Sequence, residues 1–423
     1  MLRLNGDDMK QTVLILLATA MAALGGDWMQ WRGPELNGTC SAKNLPASWS
    51  VESGENVAWT CDLPGTGQST PVITGDRIFL TTSDDNQLHA VCIDRKSGRI
   101  AWKKKVGQGR EMPRGGNAAH PSAVTDGKTV CFLYGQGTLV AFTLDGKQLW
   151  EKELEKEYGR LATKFGFSSS PLLHSGTLYL PLLYLAGKND PTAKNGTTLL
   201  AIDLLTGKTL WEADRPTPAT KESLDSYITP VLGKQGIILT GADLVTSHDP
   251  KNGKVQWEFD VAKGNRKTNW RIISSPVQAD DLTVTAYPRG RTLVALKPGG
   301  GKRWDYEGYV PDVCTPAYGD GLLYVLDGVK RYLTCINAQN GREEWQEKIP
   351  SDKGFFASPL VADGKVYMLN LNGEVFVYAA GRKPKLLEQF MMGADNSAAS
   401  IVAVDDALYI RLPNKLICAR NTK

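Results

Sequence analysis

The sequence predicts an all-β fold, an eight-bladed β-propeller of four-stranded blades closed by an amino-terminal strand. Three observations predict it. A tryptophan recurs in one fixed phase, a proline step recurs ahead of it, and the strand count is one short at one end and one over at the other.

The tryptophan phase is the most constraining. Gly98, Gly146, Gly207, Gly253, Gly300 and Gly341 each stand four residues before Trp102, Trp150, Trp211, Trp257, Trp304 and Trp345. Upstream of each pair, a short apolar strand carries one small residue: Cys92, Ala141, Ala201, Ser247, Ala295 or Cys335. Ala379 and Cys418 continue that series with no tryptophan behind them. Each copy reads as strand, tight turn at the glycine, then strand. An indole at a fixed outer-strand position covers the next blade and can still donate its N–H. A large side chain in the small slot would over-pack the interface between sheets.

The second landmark precedes each copy. Pro71, Pro121, Pro171, Pro230, Pro276, Pro316 and Pro359 each follow a Ser, Thr or His, and an eighth copy carries Ile401 instead. A turn signal such as Gly75-Asp76 or Asp320-Gly321 comes about five residues later, so each unit reads as four strands. The eighth unit supplies only three strands before Arg420. At the other end, Asn56-Val57-Ala58-Trp59 has a docking tryptophan, Trp59, but no upstream partner. Pairing Val57-Ala58-Trp59 with Leu416-Ile417-Cys418 closes the ring and removes two open sheet edges. The propeller therefore spans 56–420, preceded by a lead segment, 23–55.

Residues 1–22 read as a signal peptide. Val13–Leu24 is an apolar run after Lys10, and Ala20-Met21-Ala22 fits the small-x-small rule, placing cleavage before Ala23. The run is too short for a bilayer, which needs about 20 residues. No other segment reads as transmembrane, and no Cys stands at the cleavage point. The expectation is a periplasmic or extracellular protein without a lipid anchor.

Charge excludes one class of partner. Lys plus Arg number 49 against 45 Asp plus Glu, a net charge of +4, with no basic stripe that would bind nucleic acid. The four His residues fall in four repeats without metal-ligand spacing, so no metal site is expected. Gly127-Lys128-Thr129 and Gly207-Lys208-Thr209 lie in repeat turns and lack the earlier glycine of a phosphate loop. Cys40 and Cys61 are the two cysteines that could pair after export.

The repeat in Ala201–Trp211, a small residue then Asp-x-x-Thr-Gly-Lys-x-x-Trp, resembles that of the pyrroloquinoline-quinone-type (quinoprotein) propeller family. The resemblance covers nearly all of the mature chain. Its members include quinoprotein alcohol dehydrogenases and, related in fold, the propeller lipoprotein of the outer-membrane barrel-assembly machinery. Trp28-Met29-Gln30-Trp31-Arg32-Gly33-Pro34 resembles the lead of a secreted, planctomycete-like bacterial subgroup. For the dehydrogenases, the family implies a vicinal disulfide clamping the quinone and a calcium site of Glu, Asn and Asp. This chain has no Cys-Cys pair and no acidic cluster that matches.

Propeller geometry places a candidate site at the channel mouth, on the connectors leading into the innermost strands. Five residues before each landmark stand Thr66, Gly116, Gly166, Asp225, Arg271, Pro311, Gly354 and Asn396. Asp225, Arg271 and Asn396 are polar, Asn117 and Asp312 lie one step further in, and Trp270 is the tryptophan near the pore outside the docking phase. The insertion Leu185–Thr198 should rise on the same face. The expected function is an exported, non-catalytic binding or scaffolding propeller whose mouth takes an envelope protein, a peptide or a small molecule, with no cofactor. The alternative is a quinone-dependent oxidoreductase with a degenerate site, using pyrroloquinoline quinone and calcium. A glycan hydrolase or lyase would need carboxylates about 5–9.5 Å apart, and Asp225 and Asp312 are the candidates.

Overall fold

Short strands separated by tight turns give eight four-stranded antiparallel sheets in a computed structural model describing residues 26–112, 117–161, 163–184, 196–287, 289, 291–394 and 396–422. The expected signal peptide, the first residues of the lead, Gly116 and most of the Leu185–Thr198 insertion lie outside the described residues. Blades 1 to 7 span 72–108, 124–153, 172–214, 231–260, 277–307, 317–348 and 360–391. Blade 8 combines 402–420 with Val57–Asp62 as its outermost strand. The expected closure is observed, with Trp59 opposite Cys418 and Cys61 opposite Leu416.

Burial follows from this stacking. The middle strands are buried along most of their length, and Leu322–Asp327 along all of it, because a neighbouring blade covers each face. The outer strands alternate, as in Thr209–Asp214, where one face meets solvent. Among the described residues, no helix is long and apolar enough to cross a membrane.

Each small slot lies opposite its own blade's tryptophan, as Cys92 does Trp102 and Ala201 does Trp211. The indole then docks on the next blade. Six of the seven donate Nε1–H to a carbonyl there, from Trp59 to Arg95 (3.0 Å) round to Trp345 and Gly381 (2.9 Å). Trp257 docks without such a partner. The turn glycine is required twice over at Gly98: φ is +69°, and a Cβ there would stand 2.5 Å from the Trp59 ring. One slot differs from expectation. In blade 7 a bulge after Val377 places Val377, not Ala379, opposite the outer strand at the docking register, and Glu388 stands where the tryptophan would be.

The lead segment packs across the end of the ring opposite the mouth. Trp28, 1% exposed, bridges to Ile73 of blade 1. Met29 O accepts the Thr125 N–H of blade 2, and Gln30 Oε1 accepts the Leu173 N–H of blade 3. Leu36 joins the hydrophobic cluster shared by blades 3 to 5. Asn37 and Gly38 accept amides of blades 6 and 7, and the Lys43 N–H reaches the Asp405 carbonyl of blade 8. Six of the eight blades are thereby bonded to one non-repeating segment. Cys40 and Cys61 do not pair, and all seven cysteines are free thiols.

Candidate functional site

The innermost strands surround a central chamber of about 140 Å³. Its girdle is a closed circle of hydrogen bonds. The Thr70 N–H donates to the Ser122 hydroxyl, Ser122 to Ser170, Ser170 to Thr229 and Thr229 to Ser275, at 2.9–3.2 Å. Ser275 donates to Thr315, Thr315 to Ser358, Ser358 to Ser400, and Ser400 back to Thr70, at 2.9–3.3 Å. Each blade's first buried amide is thus satisfied by the next blade's side chain, as buried N–H groups require. Seven of these residues directly precede a landmark proline or Ile401. In blade 2 the girdle residue is Ser122, after Pro121, so the sequence landmark His120-Pro121 is two residues out of register there.

Two residues nearer the mouth, a second layer divides the rim. Gln68, His120, Ser168 and Tyr227 make one side polar, whereas Ile273, Val313, Phe356 and Ala398 make the other apolar. Trp31 of the lead segment closes the floor. Beneath it Arg32, 2% exposed, donates to the carbonyls of Pro359 (2.8 Å) and Pro316 (2.9 Å). Burial lowers its pKa to about 9. His120 is held neutral, its pKa lowered to about 4 by burial and then by nearby Arg411.

The predicted mouth residues fall into two sectors. In the first, a 3₁₀ turn, Lys221–Leu224, is fixed by a Thr220–Ser223 capping box and by the Ser223 N–H to the Thr268 carbonyl. That turn aims Glu222 at Arg271, whose Nη1 lies 2.5 Å from Oε2, and at Lys164, whose Nζ lies 2.5 Å from Oε1. The Lys164 hydrogen bond leads in lowering the Glu222 pKa. Arg271 is 8% exposed and also lies 4.9 Å above the Phe165 ring. Glu222 thus grips both cations, and Asp225 accepts the Lys164 backbone N–H at 2.9 Å. Asp312 lies within the field of Arg289 and Arg271, and burial raises its pKa. Trp270 packs on Tyr287 with ring centres 5.6 Å apart.

The second sector holds Asn117 and Asn396. Asn117 Nδ2 donates to the carbonyl and hydroxyl of Thr66, and its Oδ1 accepts the Ala119 N–H, so this side chain braces the rim. Asn396 adopts φ +61° and accepts Gln68 Nε2 at its carbonyl. Sequence reasoning missed Glu222, Lys164, Phe165 and Phe356. Nothing in the repeat marks the first three, whereas Phe356 was findable as the residue two before Ser358. Among the described residues, no three His, Cys, Asp or Glu side chains gather as metal ligands.

Comparison with known proteins agrees with this fold. BamB of Salmonella typhimurium is 24% identical over 344 residues, covering 78% of this chain and 76% of that protein. A polyvinylalcohol dehydrogenase from a Pseudomonas species is 24% identical over 252 residues, 49% of this chain but only 36% of the enzyme's length. Two solved structures share the fold: BamB from Moraxella catarrhalis (TM-score 0.64, 14% identity, 86% of this chain and 99% of that one) and a europium-containing methanol dehydrogenase (TM-score 0.69, 11% identity, 92% and 89%). The profile of the family described as outer membrane protein assembly factor BamB matches residues 40–179, 163–314 and 289–383, and the chain belongs to that family.

Proposed function

We propose that the protein is a non-catalytic binding propeller of the cell envelope whose channel-mouth face engages a protein or peptide partner. The observation that carries this reading is the composition of that face. Phe165, Val329 and Phe356 are 38%, 51% and 46% exposed, and a buried arginine stacks on the first of them. Exposed apolar side chains beside a guanidinium suit a peptide-like surface. Membership of a family described as an assembly factor supports the same reading. The test is Arg271→Ala, with partner capture from the native envelope followed by affinity measurement. Binding by the folded variant should weaken by about 1.5–3 kcal/mol, the range for a charge-assisted hydrogen bond, with a stability loss as well, because the substitution leaves Glu222 without one partner of a largely buried pair. Unaltered partner affinity would remove Arg271 from the site.

The alternative, a quinone-dependent oxidoreductase, is favoured by the likeness to polyvinylalcohol dehydrogenase. Titration with pyrroloquinoline quinone and calcium, followed by absorbance, checks it. Absence of tight binding removes it.

A further inference from the structure

The hydroxyl girdle has a second chemical property. Among the described residues, each of its eight hydroxyls accepts one amide proton and donates none. Their own protons are left to the lumen, because a hydroxyl carries a donor as well as its acceptor lone pairs. Among the described residues, the chamber wall contains no carboxylate, lysine or arginine. His120 adds a donor: its Nε2 accepts the Asn117 N–H, which leaves the neutral ring's proton on Nδ1.

Two guanidinium groups stand just outside this wall. Arg32 bonds the carbonyls of Pro316 and Pro359, the residues that directly follow Thr315 and Ser358 of the girdle. Arg411, 1% exposed, donates to the Ser69 carbonyl, beside Thr70, and to the Thr81 carbonyl. Burial lowers each to about 9, and among the described residues no carboxylate offsets either charge. The Nε of each is buried without a partner. Buried cations held only by neutral acceptors carry a desolvation cost of several kcal/mol, which a nearby anion would relieve.

We infer that the central chamber binds a small oxyanion, such as a phosphate, a sulfate or a carboxylate, between the girdle hydroxyls and in the field of Arg32 and Arg411. A metal cation is disfavoured by two positive charges facing no carboxylate. The site lies below the mouth face and stands or falls apart from the partner-binding reading. The oxyanion is either a free ion or the terminal carboxylate of a chain entering through the mouth.

Calorimetric titration of the full-length protein with phosphate, sulfate and acetate, at constant ionic strength with chloride as control, tests the inference. A saturable single-site isotherm is expected for at least one oxyanion, weakened roughly tenfold or more in Arg411→Met and in Ser275→Ala. Peptides with free and amidated carboxyl ends form a second arm. Binding by phosphate or sulfate points to a free ion, and binding by the free-ended peptide alone points to a chain end. Selenate soaked into crystals of the unaltered protein covers the case where a variant fails to fold, with an anomalous peak expected inside the girdle. No saturable binding at millimolar concentration, saturable binding of sodium or potassium instead, unchanged affinity in a folded Arg411→Met, or a selenate peak only outside the channel would each overturn it.

Discussion

The seam between blades 6 and 7 and the seam between blades 7 and 8 join the same kind of sheet by different means. At the first, Trp345 reaches across and donates to the Gly381 carbonyl in the turn of blade 7. At the second there is no turn to receive an indole, because the third and fourth strands of blade 8 come from opposite ends of the chain. Glu388 occupies the docking register instead. Trp49 of the lead segment fills that region, 3% exposed, edge-on to Phe390 at 4.8 Å, with its N–H on the Met392 sulfur at 3.0 Å. Asn44 and Asn56 bind the chain beyond Arg420. A repeat supplies the docking residue where the next repeat has a turn to receive it. Where the ring closes, non-repeating sequence does the joining.

The largest expected effect comes from removing the closure itself. Deleting residues 56–62 leaves the edge of Lys415–Arg420 unpaired and should abolish cooperative unfolding and cause aggregation, as read by size exclusion and a thermal scan. A monomer with unaltered melting would break the comparison outright. Trp49→Ala should cost about 3–5 kcal/mol in urea unfolding, as for other buried tryptophans. A loss below about 1 kcal/mol would show that the undocked seam does not depend on it.

Acid should loosen a docked seam. His248 Nδ1–H donates to the Gly253 carbonyl (2.9 Å), in the turn that receives Trp211, and burial lowers its pKa from 6.5 to about 4. Below 6.5 the unfolded chain takes up a proton that the folded chain refuses, so this contribution is present above 6.5 and is lost as pH falls toward 4. Asp243, pushed up to about 6 by burial, acts in the opposite sense: the folded chain holds its proton more tightly, so stability falls as pH rises through that range. His248→Gln should therefore flatten the acid side of a urea-midpoint profile by about 2 kcal/mol between about pH 7 and pH 5. An unchanged slope would place the acid sensitivity elsewhere.

The smallest effect separates two docked seams from each other. Trp304→Phe removes an indole bond to the Ala338 carbonyl (2.8 Å) and should cost about 1 kcal/mol beyond the change in packing. Trp257→Phe removes an N–H that has no partner, so the same substitution should fall within about 0.5 kcal/mol. Equal losses at both positions would mean that packing alone sets the strength of these seams.

What could be read from the sequence follows the same division. Trp102 and Gly98 are legible because one turn must both adopt a positive φ and receive a ring, a demand few residue types meet. The Ser/Thr-Pro step was visible as a landmark, but its role was not, since a hydroxyl accepting from another blade leaves no mark of its partner. Glu222 and Arg271 are 49 residues apart, and Glu222 and Lys164 are 58 apart, on connectors with no common length. No period relates them, so the ion cluster emerges only from the folded chain. Trp28, Trp31 and Trp49 lie outside every repeat for the same reason.

Closure by the first strand also sets an order in time. Val57–Asp62 pairs with Lys415–Arg420, so the segment synthesised early must wait for one made hundreds of residues later. Contacts this distant in sequence form slowly, because the intervening chain must be gathered before they contribute. Blades 1 to 7 can each form from consecutive residues, whereas blade 8 cannot be completed until Lys415–Arg420 has been made. During that interval Val57–Asp62 is an unpaired strand, and the nascent protein is most exposed to wrong pairing in the last step of its own assembly.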